Sequence, residues 1–367
     1  MSSEFGTRLK ISVFGQSHGR AVGVVVDGLP AGEAVDRDAL LAFLARRRPG
    51  GPLATPRGEP DLPVFLSGLE RGVTCGAPLC AVIENTDTRS GDYDAFRDTP
   101  RPSHADYTAL MKYGPDADLR GGGHFSGRLT APLCVAGGIA LQILARRGIH
   151  VGAHLASVGG VSDQPFPLFP TPALFAQVAA RPIPTLDEQR GAQMAEEIAR
   201  AASDADSVGG VVECAAVGLP VGLGGPLFSG LEGRLAAALF GIPAIKGVEF
   251  GAGFSAAGLR GSVHNDPFVI RNGRVETETN HHGGILGGIT SGMPLVLRTA
   301  VKPTPSIGLP QSTVRLSDRT PARLEITGRH DPCVALRAVP VVEAVTAAVL
   351  LDLLLEEIPY GTFKATH

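Results

Sequence analysis

One glycine-bounded pattern occurs twice in this chain and limits its folding options more than any other feature. The apolar run at 22–26 leads into Gly28-Leu29-Pro30-Ala31-Gly32, and the run at 208–213 leads into Gly218-Leu219-Pro220-Val221-Gly222. Branched side chains suit a pleated surface, and Gly and Pro supply the dihedrals of a tight turn, so each run reads as a strand closed by a turn. The echo predicts two related strand–turn–helix units. In the first, Asp36 is expected to cap a helix with the face Leu40, Leu41, Phe43 and Leu44, ending in Arg46-Arg47-Arg48 before Pro49-Gly50. In the second, Leu231–Phe240 is the helix. Further helices are predicted over 130–147 (closed by Gly148), 187–202 and 341–357, and strands over 9–14, 62–66, 78–83, 295–301 and 323–327. Residues 84–123 hold no sustained period and are dense in Asp, Arg, Gly, Pro and His, the character of a functional loop.

Composition sets the frame for these units. Hydrophobic residues make up 44% of 367, but aromatics only 5% with no Trp, so the core must rest on aliphatic side chains. The 48 Gly and 29 Pro are spread without a period, which fits many turns and excludes collagen or a low-complexity linker. No shift in composition marks a linker, so residues 1–367 are expected to form a single large α+β domain. A net charge of −3 with both signs interspersed argues against nucleic acid and membrane surfaces as partners. The N-terminus lacks a signal-peptide pattern, and no uninterrupted apolar run reaches membrane-spanning length. Cys75, Cys80, Cys134, Cys214 and Cys333 are odd in number and form no C-x-x-C pair, so buried thiols in a cytoplasmic protein are expected, with no disulfide frame and no metal site.

The chemistry is concentrated in five stretches. Gly15-Gln16-Ser17-His18-Gly19 places a hydroxyl and an imidazole between glycines; by itself it could be a hairpin turn with a surface histidine. Arg101-Pro102-Ser103-His104-Ala105-Asp106 and Arg120-Gly121-Gly122-Gly123-His124-Phe125-Ser126-Gly127-Arg128 follow, the second opening the helix at Thr130 as an anion site would. Asn280-His281-His282-Gly283-Gly284-Ile285-Leu286-Gly287-Gly288 continues to Lys302-Pro303-Thr304-Pro305-Ser306. Adjacent side chains diverge, so His281 and His282 make a poor chelate. Last comes Gly328-Arg329-His330-Asp331-Pro332-Cys333, whose Arg and Asp could simply pair at a turn. The phosphate-loop, dinucleotide and zincin signatures are all missing.

In order and wording these stretches resemble the signatures of the chorismate synthase family, from about Gly15 to about Glu343. The resemblance implies a pair of antiparallel four-stranded sheets sandwiched with helices, assembled as a homotetramer. It implies elimination of phosphate from 5-enolpyruvylshikimate 3-phosphate to give chorismate, the last step of the shikimate pathway in aromatic amino acid biosynthesis, with reduced FMN (FMNH2) as cofactor. By the same resemblance His104 is the acid on the departing phosphate, His18 protonates or stabilises the reduced flavin at its N1 side, and Asp331, helped by Ser17, serves the flavin N5 that receives the substrate proton. FMN is expected against His124, Phe125, Ser126, Pro243, Ala244, Gly287, Lys302, Pro303, Thr304, Pro305, Ser306 and Arg329. Arg47 or Arg48, Arg101 and Arg128 stand, with Arg329, where anion-binding arginines of the family fall.

The chain departs from the commonest family pattern at Gln16, His124-Phe125, Gly127 and Leu129. Its loop 49–55 is one residue short and lacks an arginine that many members carry. No large insert is present, which points to an external flavin reductant; NADPH enters only if the chain reduces its own flavin. The competing expectation is a catalytically inactive homologue that still binds FMN or anions.

Overall fold

The computed structural model describes residues 3–48, 58–86, 96–326 and 331–357. Two antiparallel sheets face each other across a pair of helices. In spatial order the first sheet is Glu4–Phe5, Lys10–Gly15, Ala21–Asp27, Leu79–Glu84 and Val64–Ser67. The second is Val161–Ser162, His150–Val158, Gly210–Val217, Leu295–Val301 and Ile245–Phe250. Each therefore has five strands rather than four, the extra one being a two-residue edge. Strand period decides what is buried: Val22, Val24 and Val26 all point into the core from the central strand of the first sheet.

The helix Thr130–Ala145 packs on the first sheet, Ala335–Glu357 on the second, and the two pack on each other. They come close at Gly137, where a Cβ would overlap the backbone of Ala344. By length and composition the apolar stretch ending at Ala145 and the helix Ala335–Glu357 could each cross a membrane, yet both are mostly buried between the sheets. The charges that interrupt the latter have partners. Asp352 accepts N–H bonds from Thr7 at 2.9 Å and from Arg8 and Leu9 at 2.7 Å, and Glu343 accepts two from Arg46 at 2.6 and 2.7 Å.

The repeat read from the Gly-Leu-Pro echo is present in the hydrogen bonds. Thr74 Oγ1 donates to Pro30 O at 2.5 Å and accepts from Glu33 N at 2.9 Å, while Thr74 O accepts from Gly32 N. Thr290 Oγ1 donates to Pro220 O at 2.6 Å and accepts from Leu223 N at 2.9 Å, while Thr290 O accepts from Gly222 N. Both threonines sit on a two-stranded hairpin, Leu69–Glu70/Val73–Thr74 in one half and Ile285–Leu286/Ile289–Thr290 in the other.

Most expected elements are present with shifted ends, but the strands His150–Val158 and Ile245–Phe250 and the helix Pro172–Ala179 have no counterpart among those expected, and further differences follow. Residues 84–123 include a helix, Asp106–Tyr113, too short to show a period. The C-terminal helix begins at Ala335 and carries Pro340 inside it, because burial on all sides outweighs the lost N–H. The strand expected at 323–327 is Thr320–Leu324, paired with Gln311–Arg315. Among the cysteines, Cys134, Cys214 and Cys333 are buried, but Cys75 is exposed.

Candidate active site

One pole of the molecule gathers the groups that the sequence singled out. The strand ends Gly15, Ala21 and Glu84 lie side by side in the first sheet, as Val158, Gly210 and Val301 do in the second. The N-terminal ends of the central helices reach the same place. Arg47 donates to Thr130 Oγ1 at 3.1 Å, and Arg337 Nε donates to Arg47 O at 3.0 Å. Two helix N-termini converging on strand ends favour bound anions.

The Gln16–Gly19 turn is held by Asn85, whose amide donates to Gln16 O at 3.0 Å and to Gly19 O at 2.8 Å. Ser17 N donates to Gly123 O at 3.0 Å, which lays the glycine loop against the turn. Gly121, Gly122 and Gly123 all have positive φ (58°, 86° and 55°), a path that only glycine takes without strain. Side chains are also excluded by contact. A Cβ on Gly121 would overlap the His18 ring and come within 2.9 Å of Ser17 Oγ, and one on Gly122 would lie 3.2 Å from His104 Nε2. A single glycine loop thus carries both predicted catalytic imidazoles along its face.

His104 belongs to a compact ionic cluster. Its Nδ1 is 2.7 Å from Asp106 Oδ1, and Asp106 also takes Arg101 Nε at 2.7 Å and Nη2 at 2.8 Å. Burial pushes the Asp106 carboxyl up, but the bonds from Arg101 and His104 outweigh it and hold the group well below the usual carboxylate range. Arg101 Nη1 reaches Ser306 Oγ at 3.2 Å. Lys302 Nζ bonds to Ser103 O and, at 2.9 Å, to Ser103 Oγ, and Ser103 itself is in the left-handed region at φ 59°. Lys302 N donates to Ala244 O, placing Pro243-Ala244 beside the segment 302–306.

A second cluster sits behind the first. Asp61, fully buried, takes Arg47 Nε and Nη2 on Oδ2 at 3.1 and 2.6 Å and Arg128 Nη1 on Oδ1. Arg128 Nε donates to Asn85 Oδ1 at 2.9 Å, which links this cluster to the Ser17-His18 turn. Arg337 extends it to Asp331, with Nη1 2.8 Å from Oδ2.

The structure places the predicted site residues unevenly. Ser17, His18, His104, Arg101, Arg128, Arg47, Asp331, Lys302, Pro303, Thr304, Pro305, Ser306, Pro243 and Ala244 are joined by the contacts above or lie within the segments that make them. Three residues have partners within the protein: His124 bridges Gly15 O and Ser3 Oγ, both at 2.7 Å, Ser126 caps Arg128 N, and exposed Arg48 donates to Pro60 O at 3.0 Å. Phe125 is exposed beside Tyr113, with ring centroids 6.2 Å apart. Gly287 lies elsewhere: its hairpin packs at the Gly-Leu-Pro end, and the seven-residue strand Leu295–Val301, about 20 Å long, stands between it and Lys302. Arg329 lies outside the described residues. Sequence reasoning passed over Asp61, Asn85, Asp106 and Arg337 as site residues. Asp106, two residues from His104, carried a signal; the other three are drawn in only by folding.

A cofactor would find unmet partners here. Asp331 Oδ1 and Thr304 Oγ1 are buried and make no hydrogen bond among the described residues. Both belong to the set expected at the FMN site, and buried oxygens left without partners suit a polar ligand, so the residues fit the group.

Two sheets around paired helices, with imidazoles, guanidiniums and a half-satisfied carboxylate gathered at one pole, define an α+β protein with a cluster of titratable and cationic groups of the kind that acid–base chemistry uses. Comparison with known proteins makes the class specific. The chorismate synthase family profile matches residues 9–355. The chorismate synthase of Lancefieldella parvula is 46% identical over 366 residues, covering 96% of each chain. That of Thermococcus gammatolerans is 49% identical over 353 residues, covering 95% of this chain and 97% of its own. A chorismate synthase crystal structure superposes with a TM-score of 0.76 at 28% identity, covering 96% of this chain and 93% of the other. The chain belongs to the chorismate synthase family, and it is a lyase.

Proposed function

We propose that the protein converts 5-enolpyruvylshikimate 3-phosphate to chorismate with loss of phosphate. The observation that carries this reading is the glycine loop Gly121–Gly123, which lies directly against both His18 and His104, while Asp331 keeps one carboxylate oxygen without a partner among the described residues. Reduced FMN, when bound, supplies electron density to the substrate and takes up its ring proton. His104 gives its Nε2 proton to the phosphate oxygen as the C–O bond breaks. His18 would protonate or stabilise the reduced flavin, and Asp331 Oδ1, helped by Ser17, would serve the flavin nitrogen that receives the substrate proton. Arg47 or Arg48, Arg101, Arg128 and Arg329 hold the substrate's anions. Lys302–Ser306, Pro243-Ala244, Thr304 above all, and the loop residues His124, Phe125 and Ser126 surround the cofactor. Gly287 reaches it only from a neighbouring copy, as a homotetramer would allow. Exposed Phe228, Phe254 and Phe268 on the second half favour such assembly. The protein works in the cytoplasm with FMN reduced by a separate reductase. The test is anaerobic: protein, chemically reduced FMN and 5-enolpyruvylshikimate 3-phosphate are mixed and chorismate is followed by ultraviolet absorbance. Binding of FMN with no chorismate formed would instead mark an inactive homologue.

A further inference from the structure

We propose that Asp106 is a positioning residue which decides the nitrogen of His104 that gives up the proton; this rests on reading His104 as the acid on the departing phosphate. His104 Nδ1 stands between a donor and an acceptor. Arg101 Nη2 is 3.1 Å away and Asp106 Oδ1 is 2.7 Å away. The two neighbours demand opposite tautomers. A bond from Arg101 requires a bare Nδ1 and leaves the neutral ring with its hydrogen on Nε2. A bond to Asp106 requires Nδ1–H.

The distances favour the carboxylate, and so does the surrounding chemistry. Arg101 gives Nε and one Nη2 hydrogen to Asp106, its backbone N to Oδ2 at 3.1 Å and Nη1 to Ser306, so only its second Nη2 hydrogen faces Nδ1, at the longer distance. The remaining nearby charge, Lys302, is spent on Ser103. Asp106 is buried and stays ionised, so it offers His104 a fixed negative acceptor.

The consequence is a direction for the proton. The charged ring carries hydrogen on both nitrogens. As the C–O bond breaks, its electron pair stays with the phosphate oxygen and the Nε2 hydrogen goes to that oxygen. The ring is left neutral in the Nδ1–H form, already bonded to Asp106, and takes a new proton at Nε2 from solvent. Gly122 keeps that side open, since a Cβ there would lie 3.2 Å from Nε2. Arg101 shares the carboxylate through Nε and Nη2 and so fixes both of its oxygens.

The test uses the full chain, labelled with 15N-histidine, under magic-angle-spinning NMR without ligands. Subtracting the spectrum of His104→Gln isolates the His104 nitrogens at a pH where the ring is neutral. A protonated Nδ1 with a bare Nε2 is expected in the wild type, and the reverse in Asp106→Asn. A bare Nδ1 in the wild type overturns the proposal, whether or not the variant folds. In the anaerobic assay Asp106→Asn should lower kcat by about 10²–10⁴-fold, as loss of a placed acid does, with KM for 5-enolpyruvylshikimate 3-phosphate nearly unchanged. In a His104→Gln background the same substitution should change kcat by no more than about twofold, since both act through one step. Losses that multiply would overturn the proposal. If the wild type forms no chorismate, the reading of its activity fails, while the NMR spectrum still decides the tautomer.

Discussion

Replacing Asp61 by Asn should uncover how the arginine pair at the active-site pole is held. The Asp61 side chain is 0% exposed, and those of Arg47 and Arg128 are 2% and 3% exposed. Arginine does not shed its proton, so the substitution leaves two buried cations without their shared anion. Thr130 still meets Arg47, and Glu59 lies 3.7 Å from Arg128, so part of the stabilisation survives. Breaking a buried pair by removing one partner costs about 3–5 kcal/mol. With an unfolding entropy of about 2.1 cal/mol/K per residue over 367 residues, that is a fall in Tm of about 4–6 °C. Scanning calorimetry at pH 7 measures it directly.

The pH dependence supplies the second arm. Burial raises the Asp61 carboxyl, but Arg47 and Arg128 together hold it below its ordinary value. A depressed carboxyl contributes stability that is complete above the unfolded-state pKa and is lost as pH falls through the folded-state value. The gap in Tm between wild type and Asp61→Asn should therefore narrow as the solution is acidified below the ordinary carboxylate range. A Tm within 1 °C of wild type at pH 7, on the order of a neutral surface change, would refute the argument that Asp61 is the shared counter-ion.

Three further outcomes are expected. Gly121→Ala should depress both turnover and stability, the first because its methyl displaces the His18 ring and the second by about 1–3 kcal/mol because a non-glycine at φ 58° is strained; equal kcat in the anaerobic assay would show that His18 is not held by this loop. Thr74→Val and Thr290→Val should lower stability by similar amounts, about 1–3 kcal/mol each by denaturant titration, since each leaves the same buried groups without partners in its half; a several-fold disparity would deny the repeat. Buried His154 lies between Asp163 and Glu213, 3.1 and 3.2 Å away; burial lowers its pKa, but these carboxylates raise it further, above the ordinary value. Its contribution is complete below the unfolded-state pKa and fades as pH rises through the folded one, so His154→Gln should flatten the loss of Tm on the alkaline side.

Much of this protein is legible without coordinates because its signals are local. The Asp36 cap bonds to the N–H groups of Asp38 and Ala39, both at 3.0 Å, as the residue order alone suggests. The strand at Leu295–Val301 and the helix at Leu231–Phe240 begin and end where their composition says. The Gly-Leu-Pro echo foretells a repeat because the same turn requires the same residues in both halves. Pro340, by contrast, reads as a boundary and is not one, since the packing around it cannot be read from its neighbours.

The site divides along the same line. Residue order determined that two imidazoles, several arginines and glycine-rich turns would be present, because each motif is contiguous. Only the tertiary structure decided who partners whom. Asp61 joins Arg47 to Arg128 across 14 and 67 positions, Asn85 joins Arg128 to the turn before Gly19, and Arg337 joins Asp331 to the end of another helix. It also turned His124 toward Ser3 and set Gly287 at the far end of a sheet. Charges find partners through space, and the distance along the chain that separates them leaves no local pattern from which the pairing could be foretold.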